Sequence, residues 1–423
     1  MPETAALPDT GGSGARVVIV GGGFAGLAAA AELGGSGARV LVIDRQNHHV
    51  FQPLLYQVAT ASLPATDIAQ PIRHVLRRFA NVSVLRGEVT AIDRAARRVV
   101  MGERRIPYDR LIVATGATHN YFGRENWAAN APGLKTLGDA QRLRGRILEA
   151  FETAEAATDD ARKRAALTFC IIGGGPTGVE LAGAIAELAR HTLAREFRAI
   201  DPAHASVLLF EAGPRLLPAF PEALSAYAAR RLEGLGVTVR LETPIREIAT
   251  DAVATDAGVV STGTIVWTAG VRASRGADWL GVAADRAGRI AVDPTLRLPD
   301  DPAVLVLGDL AAAVDPASGL PLPGLAQVAR QQGRYAGRSI RAEIEGRPTE
   351  PFRYRDLGSW AIVGRNVAVA RIGDRSLRGR VAWLAWGAIH IGLLVGFENR
   401  FRVLLKWFWE FVTRRRGARL ILP

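Results

Sequence analysis

The chain has 423 residues, 48% of them hydrophobic, and a net charge of +12. That is enough apolar material to bury two cores at roughly 100–200 residues per domain. A single cysteine, Cys170, excludes an internal disulfide, a redox dithiol, a zinc cluster and an iron–sulfur cluster, and no metal site is expected.

Residues 1–14 carry neither a cationic start nor an apolar stretch, so they read as a disordered tail that leaves the folded part in the cytoplasm. The β-branched run Val17 to Val20 enters GGGFAGL, where Gly21, Gly23 and Gly26 open an alanine-rich helix. In that order, free backbone N–H groups at a helix N-terminus can hold a dinucleotide pyrophosphate. Asp44 ends the strand ARVLVID eighteen residues past Gly26, close to the ~20 expected of a carboxylate on an adenosine ribose. A helix is predicted from about Asp67 to Arg78. Strands follow around Val82 to Val89 and Arg98 to Met101, and a return strand Leu111 to Thr115 closes on Gly116. A strand-end glycine permits close approach of a ligand, which places Thr115 and Gly116 beside it.

The pattern then repeats. Ile171 and Ile172 lead into GGGPTGVEL, with Gly173, Gly175 and Gly178, and SVLLFE delivers Glu211. The longer spacing to this acid implies an extended helix and loop through HTLAREFRAIDPAH. GTIVWTAG returns to Gly270 as YDRLIVATG returned to Gly116; the offsets are 152 residues from Gly21 to Gly173 and 154 from Gly116 to Gly270. This is an internal duplication, and a chain that holds two dinucleotides is built to pass electrons between them. Glu180 is expected in the first turn of the second helix, amid Val179, Leu181 and Ala182. It reads either as a desolvated carboxyl for proton handling or as an acid stabilised by the helix dipole.

AVLVLGD re-enters the first unit and ends on Asp309. AQVARQQG then opens a helix at Ala326, whose N-terminus can stabilise negative charge; Gln327 and Gln331 offer amide donors or are ordinary surface glutamines. Residues 381–397 are seventeen without a formal charge; at ~1.5 Å each they reach about 25 Å, short of a ~30 Å hydrocarbon core. In the following helix Phe397, Phe401, Leu404, Leu405, Phe408, Phe411 and Val412 share a face. Arg400, Arg402, Lys406 and Arg414 lie off it, and Trp407 and Trp409 suit an interface. The last 46 residues carry a net +7. No nucleic-acid recognition module accompanies that charge, and its aromatic company points to an anionic membrane surface. Monotopic attachment, a membrane span and a homodimer interface are all open, with the short length favouring the first.

DRQNHHVFQPLLYQVATASL, GGGPTGVELAG, LGD and AQVARQQG together resemble the type II NADH:quinone oxidoreductases. These are single-chain, non-proton-pumping flavoenzymes of respiratory membranes in the two-dinucleotide-binding-domain flavoprotein superfamily. The resemblance runs from Ala15 to Leu422. It implies an α/β fold with two Rossmann-like domains, a discontinuous FAD domain over 15–139 and 276–348, an NADH domain over 140–275 and a membrane-attachment region over 349–423. Non-covalent FAD would lie on Gly21, Gly23, Phe24, Ala25, Gly26, Asp44, Arg45, Thr115, Gly116, Asp309, Ala326 and Gln327. Pro53 and Leu54 would give the flavin a dry wall and Gln52 a polar contact. NADH would lie on Gly173, Gly175, Pro176, Thr177, Gly178, Glu180, Glu211, Ala269 and Gly270. Glu211 favours NADH over NADPH, with Arg215 close by in sequence. The resemblance further implies that Glu180 faces nicotinamide and flavin, that Gln327 and Gln331 line a quinone tunnel, and that the enzyme works on the cytoplasmic face of a bacterial cell membrane. Disulfide or sulfide oxidation by the same superfamily needs a cysteine pair that is missing here. A non-catalytic FAD- and NADH-binding redox sensor, or a membrane-docked interaction protein, is the alternative from another class.

Overall fold

A computed structural model of the chain describes residues 14–421 apart from Arg195, Ala317, 395–396 and 414–415. The tail expected over 1–14 therefore lies, but for Gly14, outside the described residues, as do Arg414 and Leu422. The chain divides into two compact units. One comprises the residues up to Val50, Ala69–Thr118 and Val271–Arg355; the other comprises Phe51–Ile68, His119–Gly270 and the residues from Asp356 onward.

The first unit is organised by a six-stranded sheet in the order Arg297–Leu298, Asp301–Val306, Arg110–Val113, Arg16–Val20, Arg39–Asp44, Val82–Arg86. All neighbours are parallel except the first pair. Strands buried on both faces need apolar side chains throughout rather than alternation; Val17, Val18 and Ile19 are accordingly fully buried. The late strand Asp301–Val306 pairs with Arg110–Val113, so the end of the unit completes the sheet begun at its start. Helix Phe24–Leu33 lies against helix Ala326–Ile344. A Cβ on Gly333 would sit 2.1 Å from the Ala25 carbonyl oxygen, so the last residue of AQVARQQG permits this crossing.

The second unit repeats the plan. Its parallel sheet runs Val237–Arg240, Ser206–Phe210, Thr168–Ile172, Thr264–Trp267. In both sheets the strand feeding the glycine loop is flanked by the strand bearing the acid and by the return strand. The duplication extends to an antiparallel three-stranded meander inserted before each return strand: Ala91–Asp93, Arg98–Met101 and Arg104–Pro107 in one unit, Ile245–Ile248, Ala252–Thr255 and Gly258–Ser261 in the other. Cys170 is fully buried beside Phe210 and Trp267.

Several elements differ from the sequence reading. The helix expected from Asp67 to Arg78 is two short helices, Ala65–Ile68 and Ile72–Leu76, separated by the strand Ala69–Pro71, which pairs with His48–Val50. Pro71 lacks an N–H and disfavours a helical residue before it. The two flanking strands stop earlier than expected, at Arg86 and Val113. Phe51–Ile68 clusters with the second unit, where its helix Leu55–Ala59 packs on helices Leu137–Ala156 and Pro176–Glu187; the sequence boundaries put it with the first. The distance to Glu211 is filled by a π-helical turn Leu188–Thr192 and a short turn Pro202–His204. The C-terminal region forms a meander, Ser359–Ile362, Ala368–Ile372 and Arg375–Arg378, and then helices Gly379–Leu393 and Phe397–Thr413. Among the described residues no helix is long and apolar enough to cross a membrane.

Candidate active site

The two glycine loops have the same geometry. Gly21 and Gly173 adopt φ of 105° and 113°, and an added Cβ would lie 2.4 Å from the Ala114 oxygen and 2.5 Å from Ala269 Cα respectively. On Gly26 and Gly178 it would lie 1.8 and 1.9 Å from the carbonyl oxygens of Gly21 and Gly173. These four glycines are required by the protein's own backbone. Gly23 and Gly175 are different, because a Cβ there meets nothing within 4 Å. Both are N-caps without a side-chain hydrogen bond, so open space adjoins uncapped N–H groups at a helix start. A dinucleotide pyrophosphate fits both places.

Each acid grips its own loop. Asp44 Oδ2 accepts from Gly22 N at 2.6 Å and Oδ1 from Gln46 N at 2.7 Å. Glu211 Oε2 accepts from Gly174 N and Oε1 from Gly213 N, both at 2.7 Å. A carboxylate oxygen has capacity for a second donor, so ribose hydroxyls can add to these bonds.

In the first unit, Asp309 lies in the turn Gly308–Leu310. That turn is held by a residue the sequence reading passed over: Gln332, 1% exposed, accepts from Gly308 N through Oε1 at 2.7 Å. Thr115 Oγ1 is 2.6 Å from Ser274 Oγ, and Gly116 takes φ of 67°. Gln327 is half-buried in the first turn of its helix. Gln331 is occupied at both ends of its amide, donating to the Arg355 carbonyl at 2.8 Å and accepting from Arg355 N at 3.0 Å. Ala326 is half-buried, Arg45 is exposed, and Ala25 is buried in the helix crossing. His49, also missed, donates from Nδ1 to the Gly22 carbonyl at 3.2 Å and meets the Phe24 ring edge-on; burial pushes it down to about 4, so it is neutral. Its neighbour in sequence is another histidine, which gave no local signal for this role.

In the second unit, Thr177, Gly270 and Pro53 are half-buried, Pro176, Ala269 and Gln52 are exposed, and Leu54 is fully buried in protein. Arg215 donates to the Phe220 and Pro218 carbonyls, which turns its guanidinium to backbone rather than to Glu211. Glu180 is the fifth residue of helix Pro176–Glu187, just past the first turn in which it was expected, and no acid occupies that turn. It lines a cavity of about 110 Å³ with Tyr56, Gln57, Ala184, Glu187 and Trp386. Glu180 Oε1 accepts from Ile362 N at 3.3 Å, but burial dominates and pushes the carboxyl up to about 8.

The C-terminal helix Phe397–Thr413 has its polarity inverted. Phe401, Leu404, Leu405, Phe408, Trp409, Phe411 and Val412 are exposed, whereas Val403, Lys406, Trp407 and Glu410 turn inward. Lys406 Nζ reaches buried Asp67 at 2.5 Å, Trp407 Nε1 donates to Gln57 Oε1 at 2.8 Å, and Ser62 Oγ donates to Glu410 Oε1 at 3.1 Å. This corrects the expectation that Trp407 serves an external interface; its ring packs 5.2 Å from Trp386.

Two nucleotide cradles on duplicated parallel sheets define an oxidoreductase with two dinucleotide-binding domains. Residues 15–333 match the family described as pyridine nucleotide-disulphide oxidoreductase. The chain is 45% identical to type II NADH:quinone oxidoreductase Ndh of Mycobacterium tuberculosis, over 95% of this chain and 89% of that protein. It is 43% identical to NdhA of the same organism, over 98% and 91%. The structure of NDH2 from Plasmodium falciparum in complex with NADH shares the fold, with a TM-score of 0.85 at 19% identity over 97% of this chain and all of that one. The chain belongs to the pyridine nucleotide-disulphide oxidoreductases and, within them, to the type II NADH:quinone oxidoreductases.

Proposed function

We infer that this chain is a flavin-dependent NADH:quinone oxidoreductase whose two glycine cradles divide the work. It uses FAD and NADH, its second substrate is a quinone, and it is a peripheral membrane enzyme. The observation that carries this reading is the pair of open N-caps, Gly23 and Gly175, each beside an acid that fixes its own loop.

FAD bound there would supply the redox chemistry that couples NADH oxidation to quinone reduction. For its site we propose Gly21, Gly23 and Gly26 with Asp44 on the ribose, Asp309 held by the Gln332 turn, and the backbone at Thr115 and Gly116. NADH is assigned to Gly173, Gly175 and Gly178, with Glu211 on the ribose and against a 2′-phosphate. On these assignments we propose that the first unit binds FAD and the second NADH, with Phe51–Ile68 and 119–139 belonging to the second rather than to the FAD domain of 15–139 and 276–348 expected from the sequence. Glu180 acts in proton handling; its burial keeps a proton available near neutral pH. Gln327 offers its amide to the quinone carbonyl, and Gln331 sets the start of the helix through Arg355.

The attachment we propose is monotopic, on the cytoplasmic face of the bacterial cell membrane, through helix Phe397–Thr413. Its exposed apolar face is on the outside and its polar anchors on the inside, as an interfacial helix requires. Cationic residues near it add about 1 kcal/mol each at an anionic surface. A homodimer through the same face would instead hold this protein as a stable dimer without lipid.

Purified protein should oxidise NADH steadily only when a soluble quinone is supplied. Cofactor binding without quinone turnover would return the chain to the class of redox sensors.

A further inference from the structure

Glu180, Ala184 and Glu187 follow one another at i, i+4 and i+7 on helix Pro176–Glu187 and line the same cavity. That spacing puts them on one face, with the Cα atoms of the two glutamates ~10 Å apart along the axis at ~1.5 Å per residue. Ala184, with only a methyl side chain, lies between them on that face. The cavity they line, about 110 Å³, has room for several waters. Its wall supplies their partners: the Tyr56 hydroxyl, Ser62, and Asn366, whose Oδ1 is buried and has no hydrogen-bond partner among the described residues.

The far end of this stripe reaches the protein's edge. Glu187 accepts from Arg365 N and lies 3.6 Å from Arg416 Nη2, and Arg416 Nε donates to Glu410 Oε1 at 2.9 Å. The Arg416 side chain is 5% exposed, those of Glu187 and Glu410 13% and 26%. Arg416 also donates to the Thr60 and Ala184 carbonyls, which fixes the cluster. The charged and titratable groups that face Glu187 are thus Arg416, the Arg365 amide, Glu410, His191 and Tyr56.

We propose that this stripe is a proton path, in which Glu187 exchanges protons with solvent beside Glu410 and passes them through cavity water to Glu180. This rests on the assignment of Glu180 to proton handling made above. The overall reaction, NADH + H⁺ + quinone → NAD⁺ + quinol, moves two electrons and takes one proton from water. In the path that proton bonds to a Glu187 carboxylate oxygen. The new O–H then breaks as a water takes the proton, and the water chain releases one to the carboxylate left when Glu180 gives its own proton to an oxygen of the quinone being reduced. No electrons move along it. Arg416 is a positioning residue that keeps the two outer carboxylates at the mouth.

The test uses the FAD-loaded full chain in three variants, Ala184→Leu, Glu187→Gln and Glu180→Gln. Ala184→Leu fills the gap and leaves every ion pair in place, so it remains informative if Glu187→Gln folds poorly. Reoxidation of reduced enzyme by a water-soluble benzoquinone should slow at least about tenfold in Ala184→Leu and Glu187→Gln, with a larger solvent isotope effect and partial rescue by a small weak acid such as formic acid. Independently of turnover, the infrared carboxyl band lost in Glu180→Gln should shift more slowly after transfer into D₂O when Ala184 is leucine. Wild-type reoxidation and wild-type exchange in both outer variants would overturn the path, and if Glu180→Gln were still slow the role of Glu180 would stand. Wild-type behaviour in all three would overturn both.

Discussion

Ala28 and Glu180 occupy the same place in the two copies, 152 residues apart in the sequence. Each is the fifth residue of the helix that follows its glycine loop. The copies share the glycine crossing, the open N-cap and the acid that ties down the loop. They differ in that the first helix is alanine-rich and is crossed closely by Ala326–Ile344, while the second turns a carboxyl toward a cavity. One copy is thereby only a cradle; the other is a cradle with a cavity-lining carboxyl just behind it.

The sharpest way to break this comparison is to fill one cradle at a time. Gly23 and Gly175 have open space around them, so valine at either should fold and obstruct only the nucleotide. Gly23→Val is expected to give folded, essentially colourless protein. Gly175→Val should remain yellow, with its KM for NADH raised at least about tenfold, the equivalent of ~1.4 kcal/mol. Absorbance of the purified proteins and NADH titration check both. If Gly175→Val lost FAD and Gly23→Val kept it, the assignment of the halves would be reversed.

The sequence exposes whatever depends on local order. Both loops, both acids and the return strands follow from apolar runs ending in glycine, and the offset of the copies can be read from residue numbers alone. What it conceals depends on contacts between distant segments. Gln332 differs from Gln331 only in the direction its side chain leaves the helix, yet one holds the Asp309 turn and the other a surface loop. Pro71 breaks a stretch whose apolar pattern alone suggests a helix. In the C-terminal helix, periodicity identifies the apolar stripe correctly but does not say which face is covered. Only the partners Asp67 and Gln57 show that Lys406 and Trp407 point inward.

That inversion extends the contrast, because the second unit carries an exposed apolar helix face that the duplicated core does not need. Ending the chain after Leu377 should release the protein from membranes. It would also strip partners from Asp67, which is 2% exposed, and from Glu187, so unit two should be weakened. Point changes separate the two effects. Lys406→Met should destabilise by about 1–3 kcal/mol, discounted because the Lys406 side chain is itself 42% exposed, and should lower the melting temperature by several degrees. Replacing Phe401, Leu405 and Phe408 together by serine should leave melting nearly unchanged and abolish flotation with anionic liposomes. Undiminished flotation would assign the face to a second copy of the chain.

A smaller effect should divide the half-reactions. Gln327→Leu is expected to leave reduction by NADH close to wild type and to slow reoxidation by quinone several-fold, since one amide donor contributes about 1 kcal/mol. Stopped-flow absorbance reads both steps. Equal losses would make Gln327 a support of the flavin rather than a quinone contact.

The last effect is thermodynamic and returns to position 180. Burial raises the Glu180 carboxyl from its ordinary value of 4.5 to about 8, so the folded chain binds its proton more tightly than the unfolded chain does. Below about pH 4.5 both states are protonated and the group is neutral in its effect on stability. As pH rises the unfolded chain releases the proton first, and stability falls until the folded pKa is passed, after which the loss is constant. Glutamine cannot ionise and does not suffer this loss. Glu180→Gln should therefore melt at nearly the wild-type temperature at pH 5 and a few degrees above it at pH 8.5, with the gap opening between those values. Ala28→Gln, at the matching position of the other copy, should show a constant offset across the same range. A gap for Glu180→Gln that stayed constant, or that closed as pH rose, would mean the carboxyl is ionised in the fold and unfit to carry a proton at neutral pH.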